Sequence, residues 1–161
     1  MIVDADGVMT DGTVSYPNKE RWFSVRDGHG FQLLKERTNI VPFIMSGEND
    51  QSIKHRANKL QITCSLGVGN KYAEIAWLVE AKFIHEHPTK YIAISDDVPD
   101  LELLQNATLA FCPADAEDEV KSIDGIIVLA KKGGEGCVRE AINIILTQPW
   151  IQELFPELVI T

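Results

Sequence analysis

An α/β fold built on a mainly parallel, Rossmann-like doubly wound sheet is predicted by three observations. Short apolar, β-branched runs alternate with longer amphipathic ones along the whole chain. Acidic clusters follow directly on two of the apolar runs, at Asp4-Ala5-Asp6 and at Asp96-Asp97-Val98-Pro99-Asp100. Finally, no repeat, low-complexity stretch or linker divides the 161 residues, a length that suits one domain spanning 1–161.

The elements follow in order. Residues 1–3 form a first apolar strand, short for a strand that should be central. Residues 13–16 and 21–25 flank Pro17-Asn18-Lys19-Glu20 and read as a β-hairpin with a four-residue turn, a flap over about 13–25 beside the strand-end face. Strands are then expected at 41–45, 62–64, 91–95, 110–112 and 126–129. Helices are expected at 28–37, 48–60, 71–86, 100–105, 117–122 and 136–147. In the helix over 71–86, Ile75, Leu78, Val79, Lys82 and Phe83 recur on one side, the period of an amphipathic helix. Trp22 is assigned to the flap, Trp77 to the core, and Trp150 to anchoring the tail over 147–161. Gly133-Gly134-Glu135-Gly136 reads as a flexible loop leading into the last helix, Arg139 and Glu140 as a surface pair, and His85 and His87 as solvated. No insertion is long enough for a cap domain.

Composition excludes several functions. Hydrophobic residues make up 45% and charged residues 24%, an ordinary globular balance. Fifteen Lys and Arg against 24 Asp and Glu give a net charge of −9, which repels a nucleic-acid backbone. An anionic substrate must therefore meet local positive charge, from a metal or a few basic side chains. No apolar run reaches the length of a bilayer span and no secretion pattern opens the chain, so no membrane association is expected. Cys64, Cys112 and Cys137 are odd in number and lack C-x-x-C spacing, which fits a reduced, cytoplasmic protein.

The chemistry gathers at strand ends. Residues two apart on a strand point to the same side, so Asp4 and Asp6 converge just beyond the carboxyl edge, where open α/β sheets bind ligands. Asp96, Asp97 and Asp100 arrive at the same edge from a later strand. So many carboxylates repel one another unless a cation sits among them, and oxygen-only donors suit Mg²⁺. The strand over 41–45 ends in Ser46-Gly47-Glu48 before a helix, bringing a hydroxyl and free N–H groups to a helix N-terminus suited to phosphate. Lys71 opens another helix after a turn bearing Gly67 and Gly69. Taken singly, an acidic pair or a serine in such a place is a turn or a cap; the ordered set points to catalysis.

The order D-x-D-x-V, then Ser46, then Lys71, then D-D-x-x-D resembles the haloacid dehalogenase superfamily of phosphatases. The runs D-A-D-G-V-M-T-D-G, V-R-D-G-H-G, S-D-D-V-P-D and G-G-E-G-C-V-R-E are similar to its capless sugar-acid phosphatase branch, whose members act on KDO 8-phosphate or KDN 9-phosphate. The likeness extends to about Leu146. It implies Asp4 as nucleophile, Asp6 as general acid and base, and Mg²⁺ held by Asp4, the Asp6 carbonyl and Asp96. It also implies Ser46 and Gly47 on the phosphoryl oxygens, Lys71 neutralising nucleophile and phosphate, and Asp97 and Asp100 orienting Lys71 and metal-bound water.

A homotetramer is implied as well, with the flaps packed together and neighbouring subunits closing the site over a sugar-acid phosphate. Glu48, Arg56 and Lys59 fall near one face of one helix and are similar to the specificity set of nonulosonate-type members, while Arg26 in V-R-D-G is closer to the octulosonate type; the balance tips to a nine-carbon acid. Ser95 stands where the branch has glycine, which implies altered Mg²⁺ geometry.

Two competing functions share parts of this pattern. A phosphoacceptor signalling domain carries its lysine last, whereas Lys71 precedes the second acidic cluster. A non-catalytic oligomerisation module, like those fused to sialic-acid cytidylyltransferases, tends to lose a motif acid, and this chain keeps Asp4, Asp6, Lys71, Asp96 and Asp100.

Overall fold

The computed structural model describes residues 1–80 and 90–161, with the side chains of Val79 and Glu80 outside the description. The six strands among them are β1 (Ile2–Asp4), β2 (Phe43–Ser46), β3 (Thr63–Leu66), β4 (Ile92–Ile94), β5 (Leu109–Cys112) and β6 (Ile127–Val128). All pair in parallel, in the order β3-β2-β1-β4-β5-β6. The helices are α1 (Val25–Arg37), α2 (Gln51–Leu60), α3 (Lys71–Glu80), α4 (Leu101–Gln105), α5 (Asp118–Lys121), α6 (Cys137–Thr147) and α7 (Trp150–Leu154). This is the predicted Rossmann-like doubly wound architecture.

Strand alternation divides the core into two layers. Val3, Ile44, Ile94 and Phe111 face α1, α2 and α6 through Phe31, Leu34, Ile53, Ala57 and Ile142. Ile2, Met45, Ala93 and Ala110 face the opposite side, where Ile75, Leu78, Leu103, Leu104 and Val120 pack. Although only three residues long, β1 is paired on both sides, Asp4 in register with Met45 and Val3 with Ile94. The chain leaves β1 toward β2 and β3, then returns across it to β4. The sheet therefore has its topological switch point between β1 and β4, the crevice where such folds bind ligands.

Several expectations are corrected. The flap forms no strand ladder: Ser15 and Lys19 are joined by a 2.7 Å turn bond and Ser15 and Glu20 by a 3.2 Å bond, and the rest is irregular. A two-stranded ribbon with no surface to pack on is marginal in water, and Tyr16 and Trp22 are 81% and 78% exposed. The first helix begins at Val25, three residues before the predicted start.

Trp77 is 52% exposed and is not core, because Ile75 and Leu78 take the buried face of α3. Trp150 does not anchor the tail either; Ile151, Phe155 and Leu158 are buried instead. The tail closes with an antiparallel bridge between Thr38 and Ile160. The helix predicted to Glu86 is described only to Glu80, and Lys82, Phe83, His85 and His87 lie outside the described residues.

Gly133–Gly136 is not a loose loop. Gly134 N–H donates to the Val8 carbonyl at 3.0 Å and Gly133 N–H to Asp115 Oδ1 at 3.0 Å. A side chain at Gly133 would run into the carbonyls of Gly7 and Thr10. The stretch buttresses the turn that carries Asp6.

Candidate active site

The site grows from the end of β1. Asp4 closes the strand, and the chain then makes one wide turn, Ala5–Met9, closed by Thr10 N–H on the Ala5 carbonyl at 3.1 Å. Gly7 takes φ +76° there, a conformation that favours glycine, and a side chain at this position would strike the Asp96 carboxylate. The turn thus needs a glycine both for its backbone and for its closeness to the second acidic cluster.

Lys71 lies between two of the carboxylates. Its Nζ is 2.6 Å from Asp4 Oδ1 and 2.6 Å from Asp100 Oδ2. Asn70 caps α3 by accepting from Ala73 N–H at 2.9 Å, which fixes the helix start that presents the lysine. Ser95, at the end of β4, puts its hydroxyl 3.3 Å from Asp4 Oδ2 and donates to Asp100 Oδ2. Ala5 N–H adds a 2.7 Å bond to Asp4 Oδ1. All four side chains are buried.

Burial pushes the Asp4 carboxyl up despite the nearby ammonium. Burial also works against the Lys71 charge, but Asp4 and Asp100 outweigh it and hold the ammonium above its usual value.

Asp96 is the contrasting member. Its Oδ1 is buried with no hydrogen-bond partner. Burial first, and then the neighbouring Asp4 charge, push its carboxyl up to about 8. A carboxylate so placed lacks a cation, and the surrounding donors are oxygens, so these residues fit a hard divalent cation such as Mg²⁺. Among the described residues no three His, Cys, Asp or Glu side chains converge as a metal cluster. The expected set does not need one, since it takes Asp6 through its backbone carbonyl.

The residues expected at the phosphate line the same crevice. Ser46 Oγ accepts from Glu48 N–H at 3.1 Å, and Val68 N–H donates to the Ser46 carbonyl at 3.1 Å, knitting the loops after β2 and β3 together. Asp4, Asp6, Ser46, Gly47, Glu48, Lys71, Asp96, Asp97 and Asp100 all line one cavity of about 370 Å³. Asp97 lies on its rim and accepts from Val98 N–H at 2.7 Å, capping the short turn Val98–Asp100. Lys71 meets Asp100 and not Asp97. A second cavity of about 280 Å³, at the amino edge of the sheet, is lined mostly by apolar residues including Met1, Val41, Phe43 and Phe155.

The expected specificity residues are not brought together. Glu48 lines the cavity, but Arg56, Lys59 and Arg26 do not. Arg56 donates to the Ser24 carbonyl at 2.8 Å and lies 5.7 Å from the centre of the Phe23 ring. Lys59 is exposed, and Arg26 is exposed beside Gly136.

Three residues outside the expected set matter. Arg21, within the flap, reaches Asp6 with Nε at 2.6 Å and a second nitrogen at 3.3 Å, and reaches Asp50 at 3.1 Å. Ser95, expected only as the replacement of a glycine, joins the Asp4–Lys71–Asp100 network through its hydroxyl. Asp27 is buried at the start of α1 and accepts from Arg139 N–H at 2.8 Å, which joins α1 to α6; burial pushes it up to about 6. The sequence signal for Asp27 is the V-R-D-G run itself, in which it follows Arg26.

No family model matches the chain. The chain is 34% identical over 151 residues to the 3-deoxy-D-manno-octulosonate (KDO) 8-phosphate phosphatase of Haemophilus influenzae, covering 91% of this chain and 81% of that protein. The Yersinia pestis enzyme of the same name is 32% identical over 149 residues, covering 91% and 78%. Among solved structures, the cobalt-bound Haemophilus influenzae phosphatase superposes with a TM-score of 0.79 at 32% identity, covering 90% of this chain and 85% of that one. The Moraxella catarrhalis phosphatase, in complex with magnesium, phosphate and KDO, superposes with a TM-score of 0.81 at 26% identity, covering 97% and 90%.

Proposed function

The chain belongs to the capless sugar-acid phosphatase branch of the haloacid dehalogenase superfamily and is a phosphoric monoester hydrolase, and from that premise we propose that its substrate is KDO 8-phosphate. The observation that carries the reading is the buried Asp4–Lys71–Asp100 network at the β1/β4 switch point, with Asp96, whose Oδ1 is left without a hydrogen bond, lining the same cavity. Phosphate-ester hydrolysis is extremely slow without a catalyst, and electrostatic clamping of this kind supplies most of the acceleration.

Asp4 attacks phosphorus in line, and its new bond to phosphorus forms as the bond to the sugar oxygen breaks. The electron pair stays on that oxygen, which takes a proton from Asp6. Water then attacks the aspartyl-phosphate, gives its proton to Asp6, and releases inorganic phosphate with Asp4 restored. Asp4, the Asp6 carbonyl and Asp96 would hold Mg²⁺, which when bound supplies positive charge against the phosphoryl oxygens. Ser46 and the N–H groups after it hold those oxygens, and Lys71 offsets charge on nucleophile and phosphate.

KDO 8-phosphate is favoured over KDN 9-phosphate by the names of the matched relatives and by the orientation of Arg56. Its contacts with Ser24 and Phe23 turn it away from the cavity that Glu48 lines. Residues 1–161 act as a single hydrolase domain. The exposed Tyr16, Trp22 and Val25 support a homotetramer in which flaps pack together and neighbours close the site. The three free cysteines accord with a cytoplasmic setting.

The test is phosphate release with Mg²⁺, comparing kcat/KM for KDO 8-phosphate and KDN 9-phosphate. A KDO 8-phosphate value at least about tenfold higher is expected, a difference worth about 1.4 kcal/mol in transition-state binding. Preference for the nine-carbon ester would return specificity to Glu48 with Arg56 and Lys59 of α2.

A further inference from the structure

The flap is irregular and Tyr16 and Trp22 face solvent, yet one of its polar side chains is almost fully enclosed. The Arg21 side chain is 2% exposed. Its guanidinium forks onto Asp6, with Nε 2.6 Å from Oδ1 and the Nη2 nitrogen 3.3 Å from Oδ2. The remaining Nη1 nitrogen is 3.1 Å from Asp50 Oδ1 and 3.5 Å from Ser52 Oγ.

Asp50 is itself fixed. It is buried, it caps α2 by accepting from Ser52 N–H at 2.8 Å, and it takes the Ser52 hydroxyl at 2.7 Å. A rigid chain of contacts therefore runs from the N-terminus of α2, through Arg21, to the Asp6 carboxylate. Asp6 needs such a hold. It sits in the wide turn after β1 with extended backbone angles, and its only other side-chain contact among the described residues is Thr10 Oγ at 3.4 Å. A planar fork fixes the orientation of a carboxylate, which a point charge does not.

We propose that Arg21 is a positioning residue that, held by Asp50, orients Asp6 toward the leaving oxygen of the phosphate ester. The inference rests on the reading of Asp6 as general acid. It also gives the flap a role within its own subunit: folding Arg21 onto the site sets the acid, whatever the flap's outer face does.

The leaving group supplies the test. An alkoxide leaving group depends on proton donation, whereas p-nitrophenolate departs without it. The parameter read is kcat/KM, which covers steps up to cleavage of the ester and leaves out hydrolysis of the aspartyl-phosphate. With Mg²⁺ present, Arg21→Ala is expected to lower kcat/KM for the sugar-acid phosphate by about 30-fold or more, within the range of lost general-acid catalysis, and for p-nitrophenyl phosphate by less than about threefold. Arg21→Lys, which keeps the charge but not the fork, should recover only part of the loss. Asp50→Asn should reproduce the same split more weakly.

Adding Arg21→Ala to Asp6→Ala should cost nothing beyond Asp6→Ala alone, since both remove one function. Equal losses on the two substrates in Arg21→Ala, alongside a clear split in Asp6→Ala, would overturn the assignment of Arg21 and leave Asp6 standing. Absence of a split in Asp6→Ala itself would remove the general acid and this inference with it.

Discussion

The carboxyl edge of the sheet and the flap beside it are built on opposite principles. At the edge, Asp4, Lys71, Ser95 and Asp100 are each buried, each bonded to another, and each fixed by a strand end or a helix start. In the flap, the chain between Thr13 and Ser24 forms no ladder, Tyr16 and Trp22 stand in solvent, and Arg21 is enclosed only because Asp6 and Asp50 hold it. The edge carries its organisation within the subunit. The flap takes its organisation from what it touches.

If the edge is self-sufficient, its failures should be chemical before they are structural. Asp4→Asn is expected to lower turnover at least about 10³-fold while far-UV circular dichroism and the urea midpoint stay close to the parent's, because the amide keeps the shape and removes the nucleophile. Turnover within tenfold of the parent would remove the covalent route.

Lys71→Ala attacks the same network from its positive side. It leaves Asp4 and Asp100 buried together with no cation between them, and breaking a buried ion pair on one side costs about 3–5 kcal/mol. A lower midpoint in urea denaturation should report that loss together with loss of activity. A change below about 1 kcal/mol would mean that water enters the edge freely and that the contrast with the flap is overstated.

Asp96 sharpens the comparison from inside the edge, as the carboxyl whose buried Oδ1 has no hydrogen bond and whose neighbour is the Asp4 charge. Its folded pKa, about 8, lies far above the ordinary aspartate value of 3.8. A raised folded pKa means that the native state binds the proton more tightly than the unfolded chain does. Metal-free protein should therefore lose stability as pH rises from about 4 to 8, by on the order of a few kcal/mol. Adding Mg²⁺ at pH 8 should restore it, since a ligand that binds the native state alone stabilises that state. In Asp96→Asn both the pH slope and the Mg²⁺ effect should shrink, as read by thermal melts at pH 5 and pH 8. A flat profile in the metal-free parent would show that Asp96 is not the uncompensated charge.

How much of this was legible in the sequence follows the same division. The parallel sheet was readable because strand periodicity and acidic strand ends are local signals. Asp4, Asp6, Ser46, Lys71, Asp96 and Asp100 converge because parallel strands end at one edge. Helix ends shifted by a few residues where a cap decided them, as at Asp50 before α2. What was not readable depended on contacts between distant segments. Arg21 lies 15 residues from Asp6 and 29 from Asp50, so no spacing rule joins them. Glu48, Arg56 and Lys59 share a helix face in sequence, but Phe23 and Ser24 draw Arg56 to the flap side. The Gly133–Gly136 stretch looked loose because glycine permits looseness, whereas here it permits close packing against Gly7 and Thr10.

The smallest expected effect on the subunit itself tests the flap most directly. Trp22 is 78% exposed and is accompanied by Tyr16 and Val25 at 81% and 83%. Such a group of large apolar side chains on one short segment is costly to leave in water and favours a protein contact. If that contact is with other copies of this chain, Trp22→Ser should change the stability of an isolated subunit by less than about 0.5 kcal/mol, since it removes almost no buried surface there. The same change should move the protein from a tetramer to smaller species in sedimentation velocity, because an exposed aromatic is the kind of side chain that carries an interface. KM for the sugar-acid phosphate should rise with dissociation while p-nitrophenyl phosphate hydrolysis is little altered, since Arg21 and the edge stay assembled within each subunit. A Trp22→Ser protein that remains tetrameric would separate the flap from assembly and leave Arg21 as its functional contact with the site.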